Sequence, residues 1–298
     1  MIPQGIFLVE SSPEQIAATH DSWCADIESL GPWSVCDNAD FSGQTCKRAQ
    51  CESASTLVVF PACHTTMELA RSMAEDSLLG EWGAVLSVVQ DGGRGQLRRP
   101  WVSLPGNVHA SIVLPKPPSV GPWRDILPQI LPLVVGSLFA DVLQSLGASI
   151  QLKWPNDILQ NGRKVGGMLI EERAGITILG LGLNLAGCPD DRQMRDDCSA
   201  PAGTLAFSTF SGGPLVLLET LVSRGKNVYA VMLDEIPPAQ CLRMIENRLA
   251  WMGKTVLVHE GNQDSYEAVI TGLSPQGGLV VVRGGEEIVL YSGSIFPL

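Results

Sequence analysis

The sequence predicts an α+β protein, a mixed sheet backed by helices with a small β-barrel at its C-terminal end. Three observations carry that expectation. Apolar, strand-like runs at 57–60, 84–90 and 176–185 are interleaved with helical stretches, the longest over 122–146. An Asn161-Gly162 pair stands between two alternating runs, a strong hairpin signal because both residues tolerate φ > 0. From Gly253 onward the pattern turns to short β runs separated by Gly and Pro turns. A chain of 298 residues suffices for one sizeable core and a small satellite. The expected division is 1–55, an N-terminal extension without an assigned role, then 56–250 as the main domain and 251–298 as the C-terminal domain.

The net charge of −11 argues against nucleic acid as the main partner, since an anionic surface repels phosphates. A phosphate-bearing ligand then needs a local island of cations, and residues 94–99 and 153–164 provide two. Residues 1–55 hold only Lys47 and Arg48 against eight carboxylates, so no DNA-binding arm is expected there. The N-terminus lacks a cationic stretch followed by an apolar one, so no secretory signal and a cytoplasmic location are expected. The eight cysteines show neither a CxxC pair nor zinc-type spacing and are expected as thiols. Residues 126–146 approach membrane-span length, but Pro128, Gln129, Pro132, Asp141 and Gln144 interrupt them, so a buried helix and no membrane partner are expected.

In chain order, 57–60 is a short strand, and Thr65 or Thr66 can cap the helix that begins near His64. The strand 84–90 opens into Asp91-Gly92-Gly93-Arg94-Gly95-Gln96-Leu97-Arg98-Arg99-Pro100-Trp101. Such a loop can wrap a phosphate with backbone N–H groups and guanidinium forks. In the next strand, 102–114, His109 alternates with apolar neighbours and reads as a packed residue rather than a base. The helix over 122–146 carries one apolar stripe that includes Ile130, Val134, Leu138 and Val142. Residues 149–154 alternate as a strand, Pro155 stops its ladder, and a second strand follows Asn161-Gly162. Lys153 and Lys164 would then sit at corresponding ends of two strands and face one polyanion. Gly166-Gly167 leaves the return strand open to close approach by a ligand. Gly180-Leu181-Gly182-Leu183-Asn184 closes a buried strand, is not GxGxxG opening a helix, and no GxxxxGK[ST] occurs, so neither a Rossmann site nor a P-loop is expected. Residues 187–213 form a connection, helices follow near 214–233 and 237–251, and short strands are expected at 254–259, 266–273, 278–282 and 287–291.

The run Lys153-Trp154-Pro155-Asn156-Asp157-Ile158-Leu159, continued by Asn161-Gly162-Arg163-Lys164-Val165-Gly166-Gly167 and Leu169-Ile170-Glu171, resembles the signature of biotin protein ligases in the biotin/lipoate ligase superfamily. The resemblance extends over about 57–298. It implies a class II synthetase-like catalytic domain with an SH3-like C-terminal domain, monofunctional and without a DNA-binding domain. The implied reaction uses ATP to activate biotin as biotinyl-AMP and then transfers biotin to a lysine of a biotin carboxyl carrier protein. Thr65, Thr66, Gln90, Gly93, Gly166 and Gly167 would bind biotin. Arg94, Gly95, Arg98, Arg99, Trp101, Asn156, Asp157, Lys164 and Asn184 would bind ATP and the adenylate, with Lys164, Lys153 and Arg94 catalytic. Mg²⁺ would arrive on the phosphates, and Asp157 would either hold it or orient Lys164. A homodimer is compatible with the resemblance. The chain departs from the family where Met67 stands for Asn, His64 for Asp, Gln96 for Arg and Arg98 for Gly. Two alternatives accompany these departures: a lipoate or octanoate ligase, and a non-catalytic binder of biotin or its adenylate.

Overall fold

The computed structural model describes residues 1–36, 41, 43–96, 99–190, 200–261 and 264–298. Among these, ten strands form one mixed sheet in the order β2 (Trp33–Val35), β3 (Cys46–Ala49), β1 (Gly5–Val9), β4 (Thr56–Cys63), β5 (Ala84–Gln90), β6 (Val108–Leu114), β10 (Ile176–Leu183), β9 (Arg163–Arg173), β8 (Asp157–Gln160) and β7 (Gln151–Lys153). The strands β1, β4 and β5 run parallel, and every other neighbour pair is antiparallel. Buried on both faces, the three parallel strands are apolar almost throughout, as such strands must be.

Alternate residues of one strand serve two cores. Ile6, Leu8, Leu57, Val59 and Leu86 pack with the helices α4 (Leu127–Ser145), α5 (Pro214–Glu235) and α6 (Pro238–Glu246). Phe7, Val9, Val58, Phe60 and Val85 pack with α3 (Thr66–Glu75). The period of two in a strand thus sandwiches the sheet between helical layers. By length and hydropathy α4 could cross a membrane, yet it is mostly buried, with Ile130, Val134, Leu138 and Val142 in the larger core. It begins at Leu127, later than the sequence pattern suggested.

The boundary expected near residue 55 falls inside the sheet, because β1 pairs with β4 and carries β3 and β2 outward. The same N-terminal segment holds α1 (Pro13–Ala17), with a Ser12–Gln15 capping box, and α2 (Asp21–Leu30). The helix α5 starts at Gly213-Pro214 with no side-chain cap of its own. The Asp26 carboxylate of α2 fills that role, accepting N–H bonds from Gly213 (2.7 Å), Leu215 (2.7 Å) and Val216 (3.2 Å). Burial pushes Asp26 up to about 6, with the three N–H groups working in the opposite direction. The acidic character that excluded a DNA-binding arm therefore includes one carboxylate with a structural task.

The expectation of thiols throughout is corrected at Cys36 and Cys46, which form a disulfide. They lie just beyond β2 and at the start of β3, antiparallel neighbours whose Cα atoms come to 5.5 Å, within bridging range.

The C-terminal part is an antiparallel five-stranded sheet in the order β14 (Glu286–Leu290), β13 (Leu279–Arg283), β12 (Tyr266–Leu273), β11 (Thr255–His259) and β15 (Ser294–Pro297). The last strand, absent from the sequence reading, returns to pair with β11. Val256, Val258, Ile270 and Val281 join the larger core, and Trp154 Nε1–H donates to the Gly277 carbonyl at 3.0 Å. Gly277, at φ +77°, lies against Ile130 and Leu133 of α4, where a Cβ would come within 2.7 Å of Ile130.

Candidate active site

Where the sequence suggested one hairpin there are two. β7 and β8 turn through Trp154-Pro155-Asn156, and β8 and β9 turn through Asn161-Gly162 with φ of 52° and 74°. Pro155 cannot donate to a ladder, so it falls in a turn rather than at the end of a longer strand. Lys153 therefore pairs with Asp157, and Lys164 pairs with Leu159 one strand further on.

The two ammonium groups nevertheless converge, on the same carboxylate. Lys164 Nζ is 2.5 Å from Asp157 Oδ1, and Lys153 Nζ is 3.3 Å from Oδ2. Burial alone would raise the Asp157 carboxyl, but Lys164 and Lys153 outweigh it and hold the group below the usual carboxylate range. Lys153 is pulled down chiefly by burial and further by Lys164 and Arg99, against the attraction of Asp157. From the second sheet, the Phe296 ring lies 5.3 Å from Lys153 Nζ.

This trio borders a cavity of about 760 Å³ whose lining also includes Thr65, Thr66, Met67 and Gln90. β6 and β10 lie between the two groups in the sheet, so the cavity is elongated across the strands. Thr65 caps α3, accepting from the Met67 and Glu68 N–H groups at 3.1 and 3.4 Å. Thr66 N–H donates to Gln90 Oε1 at 2.8 Å, and Thr66 Oγ1 lies 2.8 Å from Ser111 Oγ. The sequence reading missed Ser111, because nothing local links a serine on β6 to a threonine 45 residues earlier.

Other expected residues divide by what their polar atoms do. Gly167 faces the trio, where a Cβ would sit 3.5 Å from Lys164 Nζ and from Asp157 Oδ1. Gly166 faces away: a Cβ there would press within 2.5 Å of Leu183, so this glycine serves strand packing, not the cavity. Gly180 and Gly182 make room for side chains of this chain, Met67 and the Trp101 ring respectively. Asn156 and Asn184 border the cavity, but their amides are spent on the Met168 carbonyl (2.5 Å) and the Gly203 carbonyl (3.0 Å).

In the glycine-rich loop, Gly95 N–H bonds the Arg99 carbonyl and Trp101 N–H bonds the Gly93 carbonyl. Arg94, Gly95, Gln96, Arg99 and Trp101 line the cavity; Gly93 lies behind them, against Gln90 and Trp101. Arg94 is paired with Glu68 at 2.7 Å, on the surface. Arg98 lies outside the described residues. His109 is buried, donates Nε2–H to the Leu104 carbonyl at 3.1 Å and does not line the cavity; burial lowers it to about 4. Among the described residues, no three His, Cys, Asp or Glu side chains gather as metal ligands.

A cavity with hydroxyl and amide groups at one end, and two ammonium groups bound to a half-buried carboxylate at the other, suits an acid with a polar head and a phosphoryl group at its tail. That layout is the one an acid-activating ligase would need. Residues 60–186 match the family model described as Biotin/lipoate A/B protein ligase family. It is 26% identical over 221 residues to the biotin--[acetyl-CoA-carboxylase] ligase of Paracoccus denitrificans, covering 71% of this chain and 89% of that one. Over 133 residues it is 33% identical to the bifunctional ligase/repressor BirA of Bacillus subtilis, but that match spans only 43% of this chain and 38% of BirA. The fold is shared with the biotin protein ligase of Aquifex aeolicus in complex with biotin and ATP, at a TM-score of 0.63 and 21% identity over 80% of this chain and 97% of that one. The Leishmania major biotin protein ligase in complex with biotinyl-5-AMP gives 0.52 and 23%, over 79% and 98%.

Proposed function

We propose that the chain is an ATP-dependent biotin–protein ligase that forms biotinyl-AMP and transfers biotin to a lysine of a biotin carboxyl carrier protein. The observation that carries this is the convergence of Lys153 and Lys164 on Asp157 in a cavity whose far part holds Thr66 and Gln90. In the first step the biotin carboxylate attacks the α-phosphorus of ATP and pyrophosphate leaves. In the second, the carrier's lysine amine attacks the acyl carbon and AMP leaves. Negative charge builds on phosphoryl oxygens, so the site needs fixed cations more than a nucleophile. Asp157 holds both ammonium groups at fixed positions before substrate arrives.

With both oxygens of Asp157 engaged by ammonium groups, this carboxylate is suited to orienting Lys164 rather than to binding a metal. With no cluster of metal ligands among the described residues, Mg²⁺ would come with the nucleotide, supply neutralisation of phosphate charge and keep its own waters. The order of the C-terminal strands supports an SH3-like module, and the helix-backed mixed sheet supports a class II synthetase-like catalytic domain. A cytoplasmic location follows from the use of ATP and a carrier protein, and the charge of −11 supports a reading without nucleic acid. The test is transfer of biotin to a purified carrier domain with and without ATP, followed by the mass of the carrier. An unmodified carrier in both conditions would sink the proposal.

A further inference from the structure

The orientation of the Gln90 amide is dictated by its neighbours. Thr66 N–H approaches it at 2.8 Å, and a backbone N–H can only donate, so the carbonyl end of Gln90 faces Thr66. The Thr66 hydroxyl is 3.2 Å from that same oxygen and 2.8 Å from Ser111 Oγ. Ser111 is fully buried, and its hydroxyl has no other hydrogen-bond partner among the described residues. One arrangement satisfies all three groups. Ser111 O–H donates to Thr66 Oγ1, Thr66 O–H donates to Gln90 Oε1, and the Gln90 NH2 is the end left free. In the reverse sense a Thr66 lone pair would face a carbonyl oxygen, and the Ser111 hydrogen would have no acceptor in a dry place. Gln90 borders the cavity, whereas Ser111 lies behind it.

We propose that Ser111 is a positioning residue: acting through Thr66, it holds the Gln90 N–H groups toward the cavity, so that the site selects acids whose head group presents a hydrogen-bond acceptor such as a urea carbonyl. The inference rests on the ligase reading above and adds what chooses the acid. A plain alkyl acid offers no acceptor and leaves buried donors unpaired, which discriminates more strongly than a lost methylene does.

Calorimetric titration of the full chain tests this with biotin, octanoic acid and 2-iminobiotin, whose guanidinium presents donors where biotin presents its carbonyl. Wild type should prefer biotin over both by about 10³-fold or more. Gln90→Glu is isosteric and keeps an oxygen toward Thr66 but turns the free end into an acceptor. It should weaken biotin by about a hundredfold while binding 2-iminobiotin more tightly than wild type does. Ser111→Ala should raise the biotin Kd about tenfold, with KM for biotin rising more than kcat falls. Ser111→Ala with wild-type affinity and selectivity, or Gln90→Glu weakened equally for biotin and 2-iminobiotin, would overturn the inference. Wild type that took octanoic acid as readily as biotin would overturn the head-group selection alone, whereas wild type that bound neither acid would overturn the ligase reading.

Discussion

Lys164 and Asp157, on neighbouring strands of the second hairpin, meet at 2.5 Å between Nζ and Oδ1. Lys164 is the more exposed of the two lysines, 29% against 9% for Lys153 by side chain, so it is the one free to reach a ligand without leaving its carboxylate. Replacing Lys164 by Ala should lower adenylate formation by about 10²–10³-fold with the melting temperature little changed. The measurement is single-turnover release of pyrophosphate beside a thermal melt. Normal turnover would remove Lys164 from the chemistry.

Phe296 reaches Lys153 from the other sheet. A desolvated cation–π contact is worth about 1–2 kcal/mol, so Phe296→Leu should slow adenylate formation about fivefold or more while leaving the carboxylate contact intact. Steady-state kinetics against ATP reads this out. An unchanged rate would mean that the second sheet merely borders the site.

Asp26 joins α2 to α5. Truncation to Ala would strip two buried N–H groups and one part-buried N–H of their acceptor and should cost about 2–4 kcal/mol of stability, seen as a lower urea midpoint. A midpoint within error of wild type would show that water replaces the carboxylate without loss.

His109 makes stability depend on pH in a definite direction. Its folded value of about 4 lies below the ordinary 6.5, so the unfolded chain takes up a proton first as pH falls. The stability it contributes is complete above 6.5 and is lost as pH drops toward 4, by on the order of 3 kcal/mol. In His109→Phe that part of the pH dependence should vanish. Denaturant curves for both proteins between those limits provide the check, and parallel curves would contradict the burial argument.

How much was legible beforehand followed the range of the interaction concerned. The Asn161-Gly162 turn, the Thr65 cap and the apolar stripe of α4 are consequences of local backbone and side-chain preferences, which a sequence states outright. So is the density of charge at 153–164, which pointed to the site before any strand was placed. The Trp154-Pro155-Asn156 turn was harder to read, because a proline ends a ladder but does not say whether the chain then turns back.

What the tertiary structure alone decided are meetings between residues far apart in the chain: Asp26 with Gly213, Thr66 with Ser111, Trp154 with Gly277, Lys153 with Phe296. The strands β1, β2 and β3 joined the sheet for the same reason, since β1 finds its partner in β4 only when both are laid against the same helices. The sequence by itself determined the turns, the caps and the cationic chemistry of the site. Strand order, which no local preference encodes, decided that two lysines from different hairpins would share one half-buried carboxylate.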